Sequence, residues 1–593
     1  MKTSIYAALL SAALCAPAFG ADNQLTSAHT HPALGAPEDP KVPIAWNRFY
    51  DAEGLTRLMR QLHVAYPELT EMVMIGKSFE GREIWAIEIT NPEAGPKLSK
   101  PAMYIDGNIH GNEVQASETV LYTAWYLLEM YGKVEGATKL VDERVFYLVP
   151  TINPDGRDWW FESANNPHSN RGGRMPIDSD GDGAFDEDGP EDLNGDGQIT
   201  QMRIKDPYGQ WKLDPDFPEQ LMVRVEPEER GEYTLLWSEG IDNDGDGEIN
   251  EDGPGGYDPN RNWAWDWQPE GVQFGAHNYP FSLPETKAVR DYVLARPNIA
   301  GVQSYHNNGG MILRGPGREG GQMTPDDERV MAQIARRGEQ MLPGYRSMVV
   351  WKDLYTVWGG ETEWFYSGLG ITSYTNELWT DDHLYHRELA GGQEGRKERA
   401  RWVKYLLLNQ GLTKWEEVDH PTFGKVEVGG LAKNWGRVPP SFMLEEELHR
   451  NAMFTFHHAD SLPLVRPAET IVESMEGGLW RIRHSIDNRG LVPTRLEVDT
   501  QSDISPENTV TISGGVGLKV AASGIVEDIN FDRVKWQKLR PEVLRVKRVG
   551  GNDRLVVEFI VEGSGTVQLE VVTQRGGTYK LDIPLEETPK NPK

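Results

Sequence analysis

His110 and Glu113 stand three positions apart in the stretch DGNIHGNEVQASETV, residues 106–120. An imidazole and a carboxylate on one turn can point at one metal ion, and both suit Zn²⁺. A catalytic zinc needs a third protein ligand and an open position, so the pair alone is a weak signal. A second set of chemistry-bearing residues follows. Carboxylates alternate before glycine in DSDGDGAFDEDGP, residues 178–190, and in a near-copy 64 positions later, DNDGDGEINEDGP, residues 242–254. A related loop, DLNGDGQIT, lies between them at 192–200. Asp178, Asp180 and Asp182, then Asp192, Asn194 and Asp196, then Asp242, Asp244 and Asp246 occupy positions 1, 3 and 5 of a calcium loop, with Gly at 6. Position 12 holds Gly189, Arg203 and Gly253 where an EF-hand has Glu, so the closing ligands are expected from Asp186, Asp188 or elsewhere in the chain. Nine acidic residues within 178–196 repel one another unless a cation is present, so Ca²⁺ or a similar hard ion is expected.

The elements around these residues alternate. Helical spacing over 55–66 is followed by apolar strands at 72–75, 84–89, 101–105 and 146–152, with another at 301–305 ending on His306. Short strands interleaved with helices predict an α/β domain on a central sheet, whose functional residues gather beyond strand ends. His110 and Asn153 both sit just past such ends. Helices are expected at 286–294, 328–341, 388–408 and 442–457, with His457 and His458 at a surface helix end. After 459–467 the helical period stops. Short strands at 479–486, 543–549, 555–561, 566–572 and 579–583 predict a small all-β sandwich in which His484 is structural.

The chain has 593 residues and a formal charge of −31, which argues against nucleic acid as a partner. Lys2, an apolar run over 5–16 and the small residues Ala18 and Gly20 form a secretory leader, so export to a secreted or periplasmic location is expected. Cys15, the sole cysteine, lies inside it, leaving the mature chain without a disulfide. No later stretch reads as a transmembrane anchor. The expected organisation is a signal peptide at 1–21, a Pro-rich lead-in at 22–47, a catalytic domain at 48–460 with its acidic insertion at 160–256, and a β domain at 465–593.

Over residues 48–410 the chain resembles the zinc metallocarboxypeptidases of the carboxypeptidase A type. The resemblance rests on GKSFEGR at 76–82, H-x-x-E at His110 and Glu113, NPDG at 153–156, DPNRNW at 258–263, SYH at 304–306, YTVWGG at 355–360 and TSYTNE at 372–377. It implies a mixed sheet flanked by helices and zinc held by His110, Glu113 and His306. It also implies Glu377 as the general base that serves the attacking water and then the leaving amine. By the same resemblance Asn260 and Arg261 hold the substrate's terminal carboxylate and Tyr355 closes over it. The family's oxyanion arginine has three candidates here, Arg171, Arg174 and Arg203. Arg203 in QMRIK is preferred, because an arginine followed by a short basic run resembles the family context; it also follows directly on the DLNGDGQIT loop, so that an ion bound there would aim it. Glu361, Thr362 and Glu363 lie near the floor of the side-chain pocket. The activity implied is removal of one residue from peptide or protein C-termini. Two alternatives are a zinc amidase acting on bacterial cell-wall peptides and a calcium-dependent binding protein with an inactive peptidase-like core.

Overall fold

The computed structural model describes residues 31, 33–321 and 323–588. The expected leader at 1–21, with Cys15, and residues 22–30 of the lead-in lie outside the described residues. The chain divides into Met1–Pro40, whose described part is a run of turns and bends, and Lys41–Lys593, which holds everything below. Among the described residues no helix is long and apolar enough to cross a membrane.

Four strands, β1 (Thr70–Lys77), β2 (Glu83–Ile89), β3 (Ala102–Gly107) and β4 (Val145–Val149), open the main sheet. β5 (Gln201–Lys205), β6 (Trp211–Leu213), β7 (Met222–Arg224) and β8 (Tyr233–Ser238) belong to the insertion. The main sheet resumes with β9 (Ile299–Asn307), β10 (Met311–Arg314), β11 (Arg346–Val349) and β12 (Thr372–Leu378), giving the order β1-β2-β4-β3-β9-β12-β10-β11. β4, β3, β9 and β12 run parallel. Parallel strands covered on both faces are apolar throughout, and β3, β4 and β9 are buried at every position.

Alternation along these strands sorts side chains between two cores. Met103, Ile105, Phe146 and Leu148 join the helices Ala52–Ala65, Gln115–Met130 and Ser441–Ser461 on one face. Ala102, Tyr104, Val145, Tyr147 and Val149 meet the helix Pro284–Leu294 and the aromatic pair Trp364 and Phe365 on the other. The sequence-predicted helix at 442–457 runs over Ser441–Ser461. Its end is only partly at the surface: His457 is half-buried and Asp460 exposed, but His458 is buried, with Nε2 against Thr372 Oγ1 at 2.9 Å.

Two differences from expectation concern β structure. The stretch HPTFGKVEVGG, residues 420–430, whose sequence suggests a loop and a short strand, is part of a hairpin, β13 (Leu412–His420) and β14 (Gly424–Leu431). β14 pairs with β5, so this hairpin completes a six-stranded sheet with the insertion. The C-terminal module consists of β15 (Val465–Met475), β16 (Leu479–Asn488), β17 (Asn508–Asp528), β18 (Arg533–Trp536), β19 (Val543–Val546), β20 (Asp553–Thr573) and β21 (Gly577–Pro584) in one antiparallel sheet. A sandwich of separate sheets is thus corrected to a single sheet. Its two 21-residue strands, β17 and β20, change register around Gly514–Gly517 and carry positive φ at Gly515 and Gly563. Both halves of each long strand feed one core, with Val557 and Phe559 beside Leu569 and Val571.

Candidate active site

The first site residues are placed by a turn. Beyond β3, Asn108 takes a left-handed φ of 56°, and its Nδ2 donates to the His110 carbonyl at 2.7 Å. Gly111 lies against Gly156, where a Cβ would strike the backbone. The NPDG motif supplies that neighbour: Asn153 caps the helix Pro154–Glu162 by accepting from Gly156 N–H at 2.8 Å, and its Nδ2 donates to Ile109 O at 3.1 Å. GKSFEGR is structural in the same way. Ser78 Oγ and Arg82 Nη1 donate to Asp155 Oδ1 at 2.6 and 2.9 Å, fixing that helix start.

β9 brings the third group. His306 pairs in register with Glu377 of the adjacent parallel strand β12, so both side chains emerge at the same sheet end. His110 Nδ1 lies 3.0 Å from Glu113 Oε1, His306 Nδ1 lies 2.9 Å from Glu113 Oε2, and the two Nδ1 atoms are 3.2 Å apart. All three side chains are buried. His110 Nε2 is 2.9 Å from Asp258 Oδ1, which fixes the tautomer with its Nδ1 lone pair turned to the other two groups. Glu113 Oε2 is buried without a hydrogen-bond donor among the described residues. Two imidazole lone pairs, an orphaned carboxylate oxygen and a carboxylate behind one histidine fit a zinc ion.

The surrounding charges are unevenly held. Burial alone would raise Asp258, but Arg261, Arg171 and His110 hold its carboxyl well below the usual range. Burial would likewise raise Glu113, and His110 and His306 hold it well below. Glu377 goes the other way: burial and the nearby Glu113 push it up to about 7, against the pull of His306, Arg171 and Arg437.

Asn260, Arg261, Tyr355 and Glu377 line one pocket with His110 and His306. Asn260 Oδ1 accepts from Glu361 N–H at 2.9 Å, and its Nδ2 lies 3.5 Å from His306 Nε2, which aims the amide N–H groups at the metal-ligand side of the pocket. Gly359, at φ 61°, abuts the Arg261 carbonyl, and its own carbonyl accepts from Trp263 N–H at 3.0 Å, holding the 355–361 loop against the NRNW turn. Tyr355 is 56% exposed at the pocket rim. Leu313, Val350, Leu354 and Val357 form apolar walls, with Thr362 and Glu363 beyond them. Glu363 Oε1 accepts from Ser367, while Oε2 is buried without a donor among the described residues. That oxygen occupies the space a Cβ at Gly315 would need. Glu361 is buried against Asp106; burial first, then that carboxylate, hold it well above its ordinary value.

Arg203 is not in this pocket, and the preference for it is corrected. It lies within β5, where Nε donates to Glu427 Oε2 at 2.8 Å and the guanidinium covers Trp415 and Tyr233. The insertion's sheet consumes its charge. Arg174 pairs with Glu80 at 3.0 Å and stacks on Trp159. Arg171 is the candidate that lines the pocket, with Nε on Asp258 Oδ2 at 2.9 Å and Nη1 3.4 Å from Glu113 Oε1. The turn around it sets its direction: Asn170 has a left-handed φ of 59°, and Gly172 packs against the Tyr257 carbonyl. Asp258 and Arg437 were also not anticipated.

The acidic loops share one local geometry. Asp178, Asp192 and Asp242 each accept through Oδ1 from the glycine N–H three residues on, at 2.6, 2.8 and 2.6 Å. The two near-copies cross, with Asp188 bridged to Asp252. Carboxylates then converge between loops: Asp180 and Asp182 with Glu187 and Asp244, Asp178 and Asp180 with Asp252, and Asp188 and Asp244 with Glu251. Asp242, Asp244 and Asp246 form a further group. Asp186, an expected closing ligand, belongs to none of these; its Oδ1 accepts from Ile177 N–H, and Glu187 next to it points inward instead. Asp192, Asn194 and Asp196 remain in their own loop, where Asn194 Oδ1 accepts from Asp196 N–H at 3.1 Å.

An α/β sheet that gathers a buried His–Glu–His set and a carboxylate at adjacent strand ends has the build of a metallohydrolase. The profile of the zinc carboxypeptidase family matches residues 55–203 and 229–393, just over half of the chain, and the chain belongs to that family. Residues 465–584 match a domain of unknown function. Carboxypeptidase D from Anas platyrhynchos is 33% identical over 136 residues, covering 22% of this chain and 10% of that protein. The Homo sapiens carboxypeptidase D is 34% identical over 117 residues, covering 20% of this chain and 8% of that protein. The chain therefore spans about a tenth of the length of these curated relatives. Among solved structures, thrombin activatable fibrinolysis inhibitor is similar at 18% identity and a TM-score of 0.43, covering 72% of this chain and 80% of that one. Carboxypeptidase A from Helicoverpa armigera is similar at 16% identity and a TM-score of 0.42, covering 70% and 74%.

Proposed function

We propose that the protein is a zinc-dependent carboxypeptidase that hydrolyses the last peptide bond of a peptide chain. The observation that carries this reading is a single pocket holding a metal-ligand set at one end and a carboxylate-binding pair beside it. Arg261 and Asn260 bind the free terminal carboxylate, the guanidinium by a two-point grip and the amide by one further N–H. Tyr355 closes the rim over them. Arg171 faces the scissile carbonyl and stabilises the charge that develops on its oxygen. Glu377 takes the proton of the attacking water and delivers it to the departing amine. Zinc, when bound by His110, Glu113 and His306, supplies Lewis acidity and lowers the pKa of water.

The pocket favours a long C-terminal side chain ending in a cation. Its apolar walls suit a methylene stem, and the unpaired Glu363 oxygen suits an ammonium or guanidinium head. Glu363→Gln is expected to lower kcat/KM for C-terminal lysine at least tenfold relative to C-terminal leucine, read with otherwise identical peptides. The whole reading is tested on peptides with free and amidated C-termini, before and after zinc chelation. Cleavage of the free acid alone, lost with zinc and restored by it, supports it; cleavage of the amidated form at the same rate would sink it.

The crossed acidic loops support binding of Ca²⁺, with Glu187, Glu251 and Asp252 as closing ligands for Asp178, Asp180, Asp182, Asp188 and Asp244. The leader-like stretch at 1–21 supports export as the setting, where millimolar Ca²⁺ suits such open, hydrated loops.

A further inference from the structure

Beneath the pocket lie two carboxyls that hydrolysis itself does not use. Asp106 and Glu361 are each 1% exposed and lie within hydrogen-bonding reach of one another. Asp106 sits on β3, four residues before His110, in register with Ser304 of β9, two residues before His306. Glu361 opens the short helix Glu361–Glu363 directly after Gly359 and Gly360. Ser304 Oγ donates to Asp106 Oδ1 at 2.5 Å. Asp106 Oδ2 and both Glu361 oxygens have no donor among the described residues, and the Tyr104 hydroxyl beside Asp106 has no partner among them either. The titratable groups that face the pair are His306 and Tyr104, with Tyr292 behind Tyr104; no lysine or arginine is among them.

Two ionised carboxylates in contact and out of water are not stable together without a cation. An unprotonated pair would also leave three acceptor oxygens to one free hydroxyl, whereas buried polar groups are almost always bonded. One proton removes both faults: it halves the charge and supplies the missing donor. The surroundings decide which carboxyl carries it. Burial raises both, but Glu361, Ser304, Tyr104 and His306 pull Asp106 back, while Asp106 pushes Glu361 further up. The bond so formed has a second end. Glu361 N–H donates to Asn260 Oδ1, which fixes the direction of the Asn260 amide. Glu361 thus stands between the strands that carry the two histidines and a residue that grips the substrate's terminal carboxylate.

We infer that Glu361 is a positioning residue whose carboxyl keeps one proton, donates it to Asp106, and through the Glu361 backbone N–H aims Asn260 at the terminal carboxylate of the substrate. The inference rests on the carboxypeptidase reading and deepens it. Neither carboxyl has to meet the substrate, because the effect passes through the backbone.

Two measurements test it. Infrared difference spectra of zinc-loaded wild type against Glu361→Gln, at about pH 9 and so above the range in which Glu377 ionises, should show the carbonyl band of a protonated carboxylic acid in the wild type alone. Its absence would mean two carboxylates bridged by a cation or held apart, and would overturn the proposal without relying on how any variant folds into an active enzyme. The second measurement is kinetic and uses peptides with a free C-terminus. Glu361→Gln keeps a donor for Asp106 and is expected to hold KM and kcat within about twofold of the wild type. Glu361→Met is of similar size but has no donor, and is expected to raise KM about tenfold, with kcat within about threefold and zinc content unchanged. Equal KM in the two variants, or loss of zinc from the methionine variant, would mean a merely structural role and overturn the positioning. A wild type that shows the band but leaves these peptides uncut would overturn the carboxypeptidase reading, and the positioning with it, while the shared proton stands.

Discussion

At the scale of single residues the site is a set of carboxylates tuned apart by their surroundings. Glu113 and Asp258 are held ionised by histidines and arginines, while burial pushes Glu377 up to about 7. A general base works as its carboxylate, so activity must fall as pH drops through the Glu377 value. A bound dication favours the carboxylate further, which places the acid limb of kcat/KM at or below about pH 7. Glu377→Gln is expected to lower kcat by roughly 10²–10⁴-fold with zinc content unchanged. It should also abolish that limb, and a glutamine variant with the wild-type pH profile would remove Glu377 from the mechanism. The two arginines separate chemistry from architecture. Arg171→Ala is expected to cost about 10²–10³ in kcat. Arg203→Ala should leave kcat per folded molecule within about twofold but destabilise the insertion by about 1–3 kcal/mol, because Glu427 loses its buried partner. Parallel kinetics and urea titrations of the two variants check this.

At the scale of elements, legibility followed periodicity and local turn chemistry. The central strands were readable as compact apolar runs because both their faces are buried, and His110 and His306 were readable because each follows or ends such a run, whereas Glu377 was reached only through the family resemblance, since its strand TSYTNEL is mostly polar in sequence. Arg203 misled because its neighbourhood in sequence resembled the needed context, while its strand pairs with β14 more than 200 residues later. No local pattern announces that pairing. Arg437 was invisible for the same reason, since it reaches the site only through the fold. In the C-terminal module the glycines that bend β20 read as a turn, which splits one long strand into two short ones, and the glycine-interrupted β17 does not read as a strand at all. The acidic loops sit between these cases: their front halves were legible, but their crossing at Asp188 and Asp252 was not. Removing Ca²⁺ with a selective chelator while zinc is retained is expected to lower the melting temperature by several degrees. Repulsion among the converged carboxylates returns, and a site filled at 100 times its Kd contributes about 2.7 kcal/mol. It should also open residues 178–254 to proteolysis, and an unchanged melting curve and digestion pattern would argue against ions in these loops.

At the scale of the whole molecule, the C-terminal sheet is bonded into the domain that carries the site. Asp499 is fully buried and accepts from Arg495 Nη2 through Oδ1 at 3.0 Å and from Arg575 Nη1 through Oδ2 at 2.9 Å. Arg575 also donates to the carbonyls of Gly370 and Leu369 at 2.8 and 2.6 Å, directly before β12. On the catalytic side Asp327 is buried and accepts from the N–H groups of Glu497 and Val498 at 2.8 and 2.9 Å. The strand bearing Glu377 is thus braced at its start by the module that follows the family-matched residues. Removing one member of a buried charge cluster strands the others, at a cost of about 3–5 kcal/mol. Asp499→Ala leaves two buried guanidiniums without their shared carboxylate, so it is expected to lower the unfolding free energy read from urea titration by that amount, with the midpoint falling in proportion. In the wild-type protein the two modules should unfold in one transition, seen alike by tryptophan fluorescence and by loss of activity, because the brace couples them. Separate transitions in the wild-type protein, or a variant as stable as the parent, would show that the sheet is an independent appendage.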